Sequence, residues 1–238
     1  MTRTSLLFCL AFWGKCLFAQ NIDQQQLVDN LAIEYLQASG SQSVLFYGRI
    51  HEGHPRVVNH PYFEDEQFTK ARLSYRGIIY PEAMLRLDLS RNELVVLSPS
   101  FLNFVLFPED VDFAELHGQT IIYYQRNDLP GSPPTGYYAL LHSGKCRVLE
   151  RQTAALMVEQ SSSPGRAQYR FAISTQFFLY KDGVYHNIRN QRRLLNTLHP
   201  HQRELRRFIS SNQLRFRRNA RELITLTVME YEKLSNPL

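Results

Sequence analysis

The chain has 238 residues and a formal charge of +5, with 15 Phe and 13 Tyr available for a sizeable core. After the N-terminus no stretch approaches the roughly eighteen consecutive apolar residues a membrane-spanning helix needs, so composition excludes one. The charge is uneven: residues 181–238 carry 12 Lys/Arg against 5 Asp/Glu, a net +7, the first nineteen residues add +2, and the remainder is −4.

The N-terminus has the order of a secretory signal. Arg3 gives a short positive region, residues 6–13 form an uncharged apolar run too short to span a bilayer, and Ala19 offers a small residue before polar Gln20 and Asn21. The reading is a cleavable signal peptide over 1–19. Lipidation at Cys16 is disfavoured because Lys15, not a small residue, precedes it. With Cys9 and Cys16 removed, Cys146 is alone and has no internal disulfide partner. Lys145 and Arg147 would lower its thiol pKa if it were exposed; a small apolar residue on a strand is the simpler reading.

Residues 23–39 read as a helix. Asp23 and Gln26 have capping-box spacing, and Leu27, Leu31, Tyr35 and Ala38 recur on one face with Gly40 beyond the end. From 43 to about 186 the texture is that of strands: 44–50, 72–79, 83–89, 93–97, 101–107, 119–125, 136–142, 146–152 and 168–180 are short and rich in β-branched and aromatic residues. Ser90-Arg91-Asn92, Ser143-Gly144-Lys145 and Asp182-Gly183 are the turns between neighbouring runs. Residues 128–135 and 161–165, rich in Pro, Gly and Ser, read as exposed loops. No run is long enough for a crossover helix, so a parallel sheet is excluded.

After 187 the period becomes helical. Leu194, Leu195 and Leu198 share one turn. A second helix from Pro200 carries Leu205, Phe208 and Ile209, with Arg203, Arg206 and Arg207 toward the opposite face. Asn219 and Glu222 form a capping box before the stripe Ala220, Leu223, Ile224, Val228, Tyr231 and Leu234. The expected fold is α+β and mainly antiparallel: a curved sheet or open barrel of many short strands, an N-terminal helix and a C-terminal helical subdomain. The expected units are 1–19 signal, 20–187 β domain with its N-terminal helix, and 188–238 basic helical end.

Chemistry-bearing patterns are sparse. His51, His54 and His60, with Glu64, Asp65 and Glu66, are the densest polar cluster. The helical metalloprotease motif needs two His four apart around a Glu; His51 and His54 are three apart, and Gly53 and Pro55 break any helix. The cluster therefore reads as an exposed polar loop, with no metal and no cofactor expected. No nucleophile elbow or phosphate loop is present, no pair of carboxylates is singled out, and Ser143 is a turn residue. Tyr75, Tyr80 and Tyr137 belong to a tyrosine-rich set that would stack on sugars or grip a peptide if it faced a concave surface; cross-strand pairing is the simpler reading.

Several stretches together resemble an uncharacterised family of exported proteins from the Bacteroidota. They are Leu45-Phe46-Tyr47-Gly48, His60-Pro61-Tyr62-Phe63, Tyr75-Arg76-Gly77-Ile78-Ile79-Tyr80 with Leu87-Asp88 behind it, and Gly136-Tyr137-Tyr138-Ala139-Leu140-Leu141, followed by the helical block. The first lacks the Asn usual before its Gly, and Asn59 stands where Gly is usual. The resemblance spans nearly the whole mature chain. It implies a periplasmic or surface protein, and polar roles for His60 and Asp88, but no reaction. The expectation is an exported, non-enzymatic binding module. Its binding candidates are His60, Asp88, Tyr75, Tyr80, Tyr137, Arg203, Arg206 and Arg207, and its partner is an envelope protein, a glycan or an anionic lipid. Export argues against nucleic acid. The rival is a hydrolase of envelope carbohydrate or peptide using His60, Asp88 or residues 64–66.

Overall fold

A computed structural model describes residues 43–55, 57–159 and 168–235, together with five helical positions before them: Leu27, Asn30, Leu31, Glu34 and Ala38. The signal segment, most of the expected N-terminal helix and the 161–165 loop lie outside the described residues. Leu27 and Leu31, expected on an apolar face, are exposed.

The fold is α+β. Among the described residues, eleven strands form one antiparallel sheet in the order β1-β5-β4-β3-β2-β6-β7-β8-β9-β10-β11, open between β1 and β11 rather than closed into a barrel. They are β1 (Arg49–Ile50), β2 (Thr69–Tyr75), β3 (Ile78–Asp88), β4 (Glu93–Leu97), β5 (Asn103–Val105), β6 (Val111–Leu116), β7 (Gln119–Tyr124), β8 (Gly136–Ser143), β9 (Arg147–Glu159), β10 (Gln168–Lys181) and β11 (Val184–Asn187). Among the described residues no helix is long and apolar enough to cross a membrane.

Three differences from the sequence reading have physical causes. Residues 44–50 do not form one strand: Ser43 caps a single 3-10 turn over Val44–Phe46, and only Arg49 and Ile50 pair. The expected strand 72–79 is divided by a turn at Arg76 and Gly77, both with positive φ, and β3 then runs unbroken from Ile78 through Pro81 to Asp88. The β2–β3 register shifts between Ala71 and Leu73, opposite Pro81 and Glu82, so a bulge accommodates the residue that has no N–H to donate. β6 was not expected. Its Asp112 and Glu115 point to the exposed face while Val111, Ala114 and Leu116 are buried.

The main core fills one face of the sheet with Leu73, Tyr75, Tyr80, Leu85, Leu94, Leu106, Ile121 and Tyr137 among others. The hairpin turns follow the left-handed rule: Asp182 and Gly183 both have positive φ between β10 and β11. Gly48 is required for a different reason: a Cβ there would collide with the Val105 carbonyl oxygen, so only glycine lets this edge segment reach β5.

The C-terminal helices are α1 (Gln191–Thr197), α2 (Gln202–Ser211) and α3 (Ala220–Ser235). Asn190 caps α1 by accepting from the Arg193 N–H at 2.8 Å. The capping box opens α3, with Asn219 Oδ1 accepting from the Glu222 N–H at 3.1 Å and Glu222 Oε2 accepting from Asn219 Nδ2 at 2.9 Å. Leu194, Leu205, Ile209, Leu223, Ile224 and Val228 form a second cluster with Cys146, Val148, Phe177 and Leu179 of the sheet. Each such aliphatic side chain contributes about 1.5–3 kcal/mol by burial, so the helices are anchored on β8–β10. Arg221 strengthens that anchor. Its Nε donates to Glu150 Oε2 at 2.6 Å and its Nη2 to Glu150 Oε1 at 3.1 Å, while Nη2 also reaches Glu64 Oε1 at 3.2 Å.

Candidate functional site

Two constellations stand out, and they lie on different elements. The first is built where β3 turns into β4. Asp88 ends β3, and its Oδ1 accepts from the backbone N–H groups of Ser90 and Arg91 at 2.8 and 3.0 Å, which sets the turn. Its Oδ2 faces two imidazoles: His51 Nε2 at 2.9 Å and His54 Nε2 at 2.5 Å. A carboxylate only accepts, so both Nε2 atoms carry their protons toward it. His51 follows β1 and is held by its own N–H on the Asn103 carbonyl at 2.8 Å. Arg91 clamps the stretch between the two His, donating to the carbonyls of Glu52 and Gly53.

The expected exposed loop is therefore a buried one at these positions. The side chains of His51 and Asp88 are fully buried and that of His54 is 10% exposed. The backbone around Tyr62 seals the other side. Tyr62 bridges to Asp88 as an isolated antiparallel pair, the Phe63 N–H donates to the Leu87 carbonyl, and the Leu89 N–H donates to that of Pro61. The His54 ring meets Tyr62 and Phe171 edge-on, with centroids 5.8 and 5.2 Å away. Burial raises the Asp88 pKa, but hydrogen bonds from His51, the Arg91 N–H and His54 outweigh it and hold the carboxyl at about 2.

Glu93, the first residue of β4, stands beside this group. It pairs with Arg49 through Oε1, while its Oε2 is buried without a hydrogen-bond partner and lies 4.0 Å from His51 Nε2. The cavity next to Asp88 measures about 10 Å³, roughly one water and far too small for a substrate.

The second constellation is an open cleft of about 840 Å³ at the helical end, within the usual size range of ligand sites. Arg189, Arg192, Arg206, Arg215 and Arg217 line it with no carboxylate among the lining residues, and Ile209, Leu214 and Phe216 supply an apolar floor. All five arginines are exposed. None forms a salt bridge among the described residues, whereas Arg49, Arg76 and Arg221 each do.

The sequence candidates are distributed as follows. Asp88 is central to the first group. His60 is turned onto its own loop, its Nδ1 accepting from the Tyr62 N–H at 3.3 Å and its ring stacked on Tyr62. Tyr75, Tyr80 and Tyr137 are 2%, 0% and 3% exposed and sit in the core, so they present no concave face. The tyrosines pair across strands: Tyr123 opposes Tyr137 with ring centroids 5.1 Å apart, and Tyr124 meets Tyr138 at 5.8 Å. Arg206 lines the cleft, and Arg203 and Arg207 are exposed on the same helix outside its lining. Glu64, Asp65 and Glu66 are exposed and do not join Asp88 in a cleft. Cys146 is buried, and burial pushes its thiol up to about 11.

The sequence reading missed Arg189, Arg192, Arg215 and Arg217. Their signal was present in the run of cations after residue 188 without matching acids. It also set His51 and His54 apart from Asp88, which lies 37 and 34 residues away. No protein-family model, curated protein or solved structure matches the chain.

Proposed function

We propose that this chain is an exported, non-enzymatic binding module of the cell envelope whose arginine-lined cleft takes the phosphate-bearing headgroup of an anionic envelope lipid. The observation that carries the reading is the cleft itself: five guanidiniums without acidic partners around one open space. Arginine presents a planar fork of donors that matches phosphate oxygens two at a time, and its charge persists at any physiological pH. Leu214 and Phe216, half-buried at the cleft, give the glycerol and upper acyl region an apolar surface beside the charges. The signal-like N-terminus, the resemblance to exported proteins and the net +7 of residues 181–238 point the same way.

The test is co-sedimentation of the purified protein with vesicles of phosphatidylglycerol and of phosphatidylcholine, at low and raised salt. Binding to the anionic vesicles alone, weakening with salt and lost in the Arg206→Glu/Arg215→Glu protein, is the expected result. Both positions are exposed, so the variant should keep its fold and its circular dichroism. Equal binding to both lipids, no binding to either, or an unaffected variant sinks the proposal; the partner then has to be sought among proteins or neutral glycans.

A further inference from the structure

We infer that His51, His54 and Asp88, completed by Glu93, form a closed site for one divalent transition-metal ion, with Zn²⁺ the best match to the donors. Two imidazole nitrogens and a carboxylate oxygen lie within 4.8 Å of one another, brought together from the end of β1 and the end of β3.

Glu93 is the independent observation. Among the described residues its Oε2 is the one buried carboxylate oxygen that has no hydrogen-bond partner. Buried polar groups are nearly always satisfied, and an unsatisfied carboxylate oxygen is among the most costly to leave so. A cation between Glu93 and His51 satisfies it. Ligand atoms about 2.0–2.1 Å from a tetrahedral ion stand roughly 3.3 Å apart. The present contacts bracket that spacing, at 2.5 and 2.9 Å for the imidazole–Asp88 pairs and 4.0 Å for Glu93 to His51. Small side-chain shifts therefore convert the hydrogen-bonded arrangement into a coordinated one. Each imidazole then carries its proton on Nδ1 instead of Nε2, which at His51 is a buried position without a partner, a cost the metal bond has to outweigh.

The surroundings suit a metal centre. Asp88 Oδ1 is fixed by two backbone N–H groups, and Arg91 holds the two carbonyls between the histidines. Such outer contacts orient the ligands. Two nitrogens and two carboxylates favour Zn²⁺ over the all-oxygen ions Ca²⁺ and Mg²⁺, and the absence of a thiolate disfavours soft ions. The burial of His51 and Asp88 leaves no open position for a substrate. The ion would tie the segment after β1 to the β3–β4 hairpin, and it would not hydrolyse anything.

The purified protein, stripped with EDTA and freed of chelator, is titrated with Zn²⁺ by calorimetry and with Co²⁺ by visible spectroscopy. The expected results are one ion per chain at about micromolar affinity or tighter, a melting temperature that rises with free Zn²⁺, and the intense visible bands of tetrahedral Co²⁺. Ca²⁺ and Mg²⁺ should leave the melt unchanged. His54→Gln, at the rim of the site, and Glu93→Gln should each weaken Zn²⁺ by at least about 10–100-fold, while Arg206→Glu/Arg215→Glu should not. Zn²⁺ binding weaker than about 1 mM, or undiminished in His54→Gln, overturns the assignment. If His54→Gln fails to fold, the Co²⁺ spectrum of the unaltered protein decides alone: weak octahedral bands overturn it.

Discussion

Replacing Asp88 by Asn removes one negative charge and one acceptor from the most buried polar group in the sheet. If the new side-chain amide keeps its oxygen on the Ser90 and Arg91 N–H groups, its own donors face the two Nε2–H groups of His51 and His54. The imidazoles can accept only by moving their protons to Nδ1, and His51 Nδ1 is buried with no partner to receive. Two hydrogen bonds to a charged group are lost, at about 1.5–3 kcal/mol each, offset in part by the lower cost of burying a neutral side chain. A net loss of about 2–4 kcal/mol is expected, which for a chain of this size is a fall of roughly 5–15 °C in melting temperature. The acid limb gives a second measure. Asp88 titrates at 3.8 when exposed and at about 2 when folded. The folded form thus binds fewer protons than the unfolded chain between these values. Its contribution, about 2 kcal/mol, is complete above about pH 4 and is lost as the pH falls through about 2. Urea titrations of both proteins in EDTA, at pH 7 and down to pH 2, measure it. If the Asp88→Asn protein melts within about 1 °C of the parent, or shows the same loss of stability in acid, the hydrogen-bond geometry assigned to Asp88 is wrong.

Other expectations concern the packing around both sites. The Cys146 thiol, raised by burial from 9.0 to about 11, should be roughly a hundred-fold poorer in thiolate at pH 8 than an exposed thiol. Dithionitrobenzoate should therefore label it only on unfolding, and fast labelling of the native protein would contradict its burial. The same shift makes its contribution to stability complete below about pH 9 and lost as the pH rises through about 11. Arg221→Ala strands the Glu150 carboxylate, which is 3% exposed, and should cost about 2 kcal/mol and raise amide exchange in the first turn of α3; adding Glu150→Gln should recover much of that loss. Gly48→Ala drives a Cβ into the Val105 carbonyl and should release β1 from β5, seen as exchange of the His51 amide. A native exchange rate there would show that the edge can shift without cost.

The sheet was legible because its turns and alternation are local signals. Asp182-Gly183 is a two-residue turn and the stripe from Leu223 to Leu234 lies within one helix, and the structure has the turn at positive φ and the stripe packed on the second core cluster. What failed was also local. The runs 72–79 and 83–89 put the break at 80–82 whereas the chain turns at Arg76-Gly77, and the bulge that admits Pro81 lies in the register with β2, which no short window contains. β6 was hidden because Asp112 and Glu115 dilute its apolar content, although they occupy only its solvent face. The histidines are the instructive case. Gly53 and Pro55 correctly ruled out a helix around His51 and His54, but a non-helical segment need not be exposed. Its burial is imposed by Arg91 and Asp88, two residues of a hairpin some 35 residues on, and composition near position 51 carries no trace of them.

The two constellations differ in how the fold treats their charge, and that difference is the ground for the two roles proposed above. Around Asp88 the fold supplies donors to both oxygens and excludes solvent, leaving one carboxylate oxygen of Glu93 as the local imbalance. A carboxylate oxygen left unsatisfied in so small a space can be matched only by a donor or a cation of small size. Around the cleft the imbalance has the opposite sign and the opposite geometry. Some basic groups of the chain are paired with carboxylates, as Lys70 is with Glu82 and Arg221 with Glu150; what sets the cleft apart is that it gathers five arginines, none in a salt bridge among the described residues, around about 840 Å³. Their mutual repulsion works against the folded helices and is screened only over about 10 Å at ordinary salt. On the function proposed above, that open space with surplus cations would take a larger anion and release it again. Arg221 has the Glu150 carboxylate against it, whereas no carboxylate is among the residues lining the cleft; on the function proposed above, the anionic lipid would bring that negative charge from outside.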